Sequence, residues 1–70
     1  MPSEVRFAEI RKLLESHGWT HRQGKGSHHV FWREGWPNIV IAVHNNRVKP
    51  VYVREVYQAI RELQARKDQS

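Results

Sequence analysis

Residues 24–32 read GKGSHHVFW, and how this stretch is read decides the fold. Gly24 and Gly26 bracket a lysine and mark a tight turn, because glycine enters left-handed backbone conformations at little steric cost. The segment that follows, SHHVFWR, is rich in aromatic residues and suits a pleated, half-buried strand. Side chains alternate along a strand, so His28, Val30 and Trp32 share one face while His29, Phe31 and Arg33 share the other. Both sets contain apolar residues, and alternation alone leaves open which set faces inward. If Phe31 is in the core, His28 points to the free face with Trp32 beside it. If Val30 and Trp32 form the core, His29 is the exposed histidine.

Outward from this stretch, the pattern predicts two hairpins. WTHR (19–22) is a short strand before the QGKG turn, and a second turn lies near EGWPN (34–38). NIVIAVH (38–44) is then a third strand, rich in β-branched residues. Two hairpins in succession make an antiparallel meander. Before it, Phe7, Ile10 and Leu14 recur at helical spacing, with Leu13 beside them. Ser3 is a good N-cap for this helix, and Gly18 supplies a left-handed stop. After it, NNRVKP (45–50) reads as a loop, and Pro50 marks the approach to a helix carrying Val53, Val56, Ile60 and Leu63. The polar end, QARKDQS, is expected to fray. The expected fold is α+β, in the order α-β-β-β-α. Both helices cover one face of a three-stranded antiparallel sheet, and the other face is left open.

Seventy residues make one domain, 1–70, with a modest core. There is no cysteine, which excludes disulfides and thiolate zinc sites. No apolar run approaches the ~20 residues needed to span a bilayer. The opening MPSEVRFAEIRKLLES mixes acids and bases and lacks the apolar block of a signal peptide, so a cytoplasmic setting is expected. The formal net charge is +5. Between Trp19 and Pro50 stand Arg22, Lys25, Arg33, Arg47 and Lys49 against a single acid, Glu34. A basic excess concentrated there points to a polyanionic partner, most often nucleic acid.

The turn before the second strand offers an anion cradle: flexible glycines that admit a phosphate, the Lys25 cation and the Ser27 hydroxyl. A plain hairpin turn would use the same residues. His17, at a helix C-terminus, is read as structural. A zinc site built from His21, His28, His29 and His44 would lack both cysteines and a helical His-x-x-x-His spacing, and is not favoured. Trp32 and Trp36 could stack on bases, although tryptophans in so small a domain more often pack in the core. No Ser-His-Asp arrangement is available, since the only aspartate is Asp68 in the tail.

The segments LLESHGW, GKGSHHVF, VIAVHNNRVKP and VREVYQAI, in this order and spacing, resemble the HicA toxins of prokaryotic type II toxin–antitoxin modules, over about Arg6 to Leu63. The resemblance implies a fold like that of double-stranded RNA-binding domains. It also implies an mRNA interferase activity neutralised by a HicB-type antitoxin. The family's catalytic histidine directly follows Gly-Ser, which corresponds to Gly26, Ser27 and His28 here. That choice favours Phe31 as the inward residue. Lys25, Gly26, Ser27, Arg22, Arg33, His44, Arg47 and Lys49 are then the expected RNA contacts. No cofactor is implied. With no carboxylate cluster to hold a metal, a metal-independent, histidine-based cleavage is expected. Two positions depart from the family. Val43 stands where many members have proline, and Val51 and Tyr52 stand where many have a Thr or Ser helix cap. Two other readings compete: a non-catalytic RNA-binding module of the same fold, and a toxin fold that retains only antitoxin binding.

Overall fold

The computed structural model describes residues 4–69. The elements are β1 (Val5–Arg6), α1 (Phe7–Ser16), β2 (Thr20–Gln23), β3 (His28–Trp32), β4 (Ile39–His44), β5 (Arg47–Val48) and α2 (Pro50–Gln69). All strand pairs are antiparallel, in the spatial order β1-β5-β4-β3-β2. Among the described residues the fold is α+β with two helices, as the pattern predicts, but the sheet has five strands rather than the expected three. No helix among the described residues is long and apolar enough to cross a membrane.

Of the two extra strands, β5 comes from the segment expected to be a loop and β1 from the expected start of the first helix. Asn45 and Asn46 both have positive φ, 51° and 62°, and His44 pairs with Arg47 across them. Two consecutive left-handed residues make the two-residue turn that matches strand twist, and asparagine tolerates that conformation. The turn folds Arg47–Val48 back onto β4. Val5 and Arg6 then pair with Val48 and Arg47. This recruitment also moves the start of α1. Ser3, the expected cap, lies outside the described residues, and the helix begins at Phe7 without a side-chain cap. The Phe7 amide donates instead to the Asn46 carbonyl at 2.8 Å.

At the other end of α1, Gly18 has φ +94°, and the Trp19 amide donates to the Leu14 carbonyl at 3.0 Å. The Arg33 guanidinium donates to the His17 carbonyl at 2.6 Å and lies 5.6 Å from the centre of the Trp19 ring. It occupies the space that a Cβ on Gly18 would need. Pro50 occupies the first turn of α2, where a missing amide costs nothing, and the Lys49 carbonyl accepts from the Tyr52 and Val53 amides. The segment after Leu63 is helical, with α2 running to Gln69. Arg66 lies 4.1 Å over the Trp36 ring, and Arg66 and Lys67 complement the dipole of the last turn.

The core joins Phe31, Ile39, Ile41 and Val48 of the sheet to Ile10 and Leu14 of α1 and to Val53, Val56, Ile60 and Leu63 of α2. Phe31, Ile41 and Val48 are fully buried, whereas Val40 and Trp32, on the opposite face, are each 46% exposed. Both helices therefore cover one face, and the other is open.

Candidate functional site

The burial of Phe31 settles the orientation of β3. His28 and Trp32 are exposed and Val30 is half-buried on the open face, while His29 and Arg33 lie on the helix side. The ladder carries this face across the sheet. His28 is in register with Ala42, Val30 with both Val40 and Arg22, and Trp32 with Thr20. At the far end, His44 pairs with Arg47 and Arg47 with Arg6. Thus Arg6, Arg22 and Arg47, the three arginines within strands, all project from the open face. The five strands contain no acidic residue. Positive charge gathered on one face in this way favours an anionic partner.

His28 opens β3 immediately after the glycine turn. Gly26 has φ +59°, and the His28 amide donates to the Lys25 carbonyl at 3.1 Å, closing a turn with glycine at its first central position. The Gly24 amide donates to the His28 carbonyl, and the Val43 amide to the Ser27 carbonyl at 2.8 Å. That last bond fixes the turn against the end of β4, so His44 lies diagonally from His28 on the same face. Diagonal neighbours of this kind lie about 7–8 Å apart, within reach of long side chains. The amides of Lys25, Gly26 and Ser27 donate to no backbone carbonyl among the described residues. Nothing lies within 4 Å of a Cβ built on Gly26, so an anion can approach this turn closely. The His28 side chain makes no hydrogen bond, ion pair or ring contact among the described residues.

The other strand histidines behave differently. On the helix side, His21 Nε2 and His29 Nδ1 are 2.8 Å apart, the rings stack at 19°, and His29 packs 4.4 Å from Phe7. Burial, followed by the Arg11 charge, pushes both imidazoles below the usual histidine value; for His21 the neighbouring His29 adds to this and Glu15 opposes it. A half-buried pair that favours its neutral form is a packing feature, with one ring donating to the other. The split of His28 and His44 from His21 and His29 across the sheet removes the four-histidine zinc arrangement. No group of three or more potential ligands among the described residues could hold a metal ion.

Of the expected RNA contacts, Arg22, His44 and Arg47 share the open face with His28, and Lys25, Gly26 and Ser27 form the adjoining turn. Lys49 is exposed just beyond β5. Arg33 is not brought to this surface; its guanidinium is committed to the His17 carbonyl. Arg6 belongs to the face although it was read as helical, and only its pairing with Arg47 reveals this. Trp32 and Trp36, equivalent in the sequence, separate: Trp32 is open, whereas Trp36 packs edge-on to Trp19 at 5.8 Å.

No match is found among curated proteins or among solved structures. The family comparison is positive: residues 7–64 match the family described as the HicA toxin of bacterial toxin–antitoxin systems. That span takes in α1, the three longer strands and most of α2, and the chain belongs to the HicA toxin family.

Proposed function

We propose that this chain is the RNA-cleaving toxin of its toxin–antitoxin pair, an endoribonuclease that cuts mRNA with His28 as the proton-transferring group. The observation that carries the reading is the placement of His28: exposed, beside the glycine turn, on a face with three arginines and no strand acid. An imidazole exchanges protons near neutral pH. In the proposed step His28 takes the proton of the ribose 2′-hydroxyl, and the 2′ oxygen attacks the adjacent phosphorus. The bond to the 5′ oxygen breaks, that oxygen takes a proton from water, and a 2′,3′-cyclic phosphate remains. The unengaged amides of the turn, Lys25 and the nearby Arg22 and Arg47 would stabilise the charge that develops on the phosphate. In this reading His44 and Ser27 would contact the same group, and Lys49 the RNA strand beyond β5. A HicB-type antitoxin presenting acidic groups would inhibit by covering this face and neutralising it.

The unpartnered His28 side chain also suits a non-catalytic RNA-binding module, and one experiment separates the two. Purified protein is incubated with a single-stranded transcript in the presence of a chelator, and the product ends are analysed. Cleavage that leaves cyclic phosphate ends, slowed by at least ~100-fold in His28→Ala, is the expected result. Full cleavage at a deoxyribose linkage would refute 2′-hydroxyl attack. Binding without cleavage would select the module.

A further inference from the structure

We propose that Trp32 is a base-stacking residue that seats single-stranded RNA across the open face, within a few nucleotides of the phosphate at His28. The inference rests on the open face being the RNA surface, and it names the substrate class and a positioning residue for it. Trp32 stands apart from the other two tryptophans. Trp19 is 2% exposed, and Trp36 is held between Trp19 and Arg66. Trp32 is 46% exposed and makes no ring or cation contact among the described residues. Val40, opposite Val30 and thus diagonal to Trp32 on the same face, is equally exposed and adds apolar surface near the indole. A single exposed ring is ordinary on a protein surface; what marks Trp32 is that it shares one face with His28, Arg22, His44 and Arg47.

The sheet register shows what fits there. Trp32 and His28 lie on one strand and one face, four residues apart, which is about 13 Å at ~3.3 Å per residue. A stacked nucleic-acid strand advances ~3.4 Å per phosphate, so the indole lies no more than about four nucleotides from the cut. Arg22, in register with Val30, sits between the two and can follow the phosphates. The combination of cations along a track with an exposed aromatic is how proteins hold single strands. A duplex offers the indole nothing, since its bases are already stacked on one another. Stacking on an indole also tolerates any base, so Trp32 would position RNA without selecting its sequence.

The test measures binding of a short RNA carrying a 2′-O-methyl group at the cleaved nucleotide, so that affinity is read whether or not the protein cuts. Trp32→Ala is expected to weaken binding about 5- to 100-fold, with most of the affinity retained in Trp32→Phe. In the unaltered protein, an abasic nucleotide moved along the RNA should weaken binding sharply at one position within about four nucleotides of the cut. The same gap should cost nothing further in Trp32→Ala. This scan also needs only the unaltered protein to fail: a uniform response at every position overturns the proposal. So does an unchanged affinity in Trp32→Ala, or a loss confined to its complex with a protein partner. If His28→Ala still cleaves while the scan succeeds, the catalytic assignment falls and the stacking role stands.

Discussion

Replacing Gly18 with alanine tests how the end of α1, the start of β2 and Arg33 are locked together. A non-glycine residue in the left-handed region costs roughly 1–2 kcal/mol, and φ +94° lies beyond the usual left-handed value near +57°. The new methyl group also displaces the Arg33 guanidinium. That removes a charge-assisted bond to the His17 carbonyl, of order 1.5–3 kcal/mol, and a contact with Trp19 of about 0.5–1 kcal/mol. Because Arg33 is half-buried and water can replace part of this, a loss near 2 kcal/mol is expected. Gly18→Ala should therefore cost about 3–4 kcal/mol, and Arg33→Ala about 2. The double variant should be no worse than Gly18→Ala, because the clash disappears with the guanidinium. The coupling energy is then about 2 kcal/mol. For a domain of this size, whose whole stability is about 3.5–10 kcal/mol, Gly18→Ala should lower the melting temperature by roughly 12–30 °C. Urea unfolding followed by circular dichroism measures all three variants. Additive losses would refute the lock. The same samples decide whether Arg33 touches RNA: its replacement should lower stability and leave the affinity of the folded protein unchanged.

Arg22→Ala and Arg47→Ala should have the opposite profile, with little change in melting temperature and weaker RNA binding. Each should reduce the slope of log affinity against log salt by about 0.7, and an unchanged slope would place that arginine off the RNA. The His21–His29 pair predicts a pH dependence of stability. Both imidazoles titrate below the usual 6.5 in the folded protein, chiefly through burial and then Arg11, so the unfolded chain takes up protons first. Stability is then full above pH 6.5 and declines as the pH falls through 6.5 toward the lowered values. Melting temperatures from pH 8 to 5 should follow this course and flatten when both residues become glutamine; an equal decline in that double variant would assign the effect elsewhere.

Strong periodic signals were legible from the residues alone. The apolar spacing of Phe7, Ile10 and Leu14, and of Val53, Val56, Ile60 and Leu63, predicted both helices, and β-branched and aromatic runs predicted β2, β3 and β4. The same reading missed β1 and β5, because two residues are too few to display alternation. It contained the means to find β5, since two adjacent asparagines are a turn signal that accepts left-handed geometry. It placed Arg6 on a helix, and nothing local could have corrected this, for Arg6 joins the sheet only through a partner 41 positions away, Arg47.

The sequence by itself determined that the chain is a small α+β domain with a basic middle and one histidine on each face of the strand His28–Trp32. It also carried the resemblance that the family match bears out. Only the tertiary structure decided which face is which. Alternation assigns residues to two sets, but the set that turns inward is chosen by burial against two helices distant in sequence, and Phe31 made that choice. The same packing took Arg33 out of the basic surface and brought Arg6 into it. It buried Trp19 and left Trp32 open. Charge and ring chemistry are written in the residues, but their direction in space depends on what packs behind them.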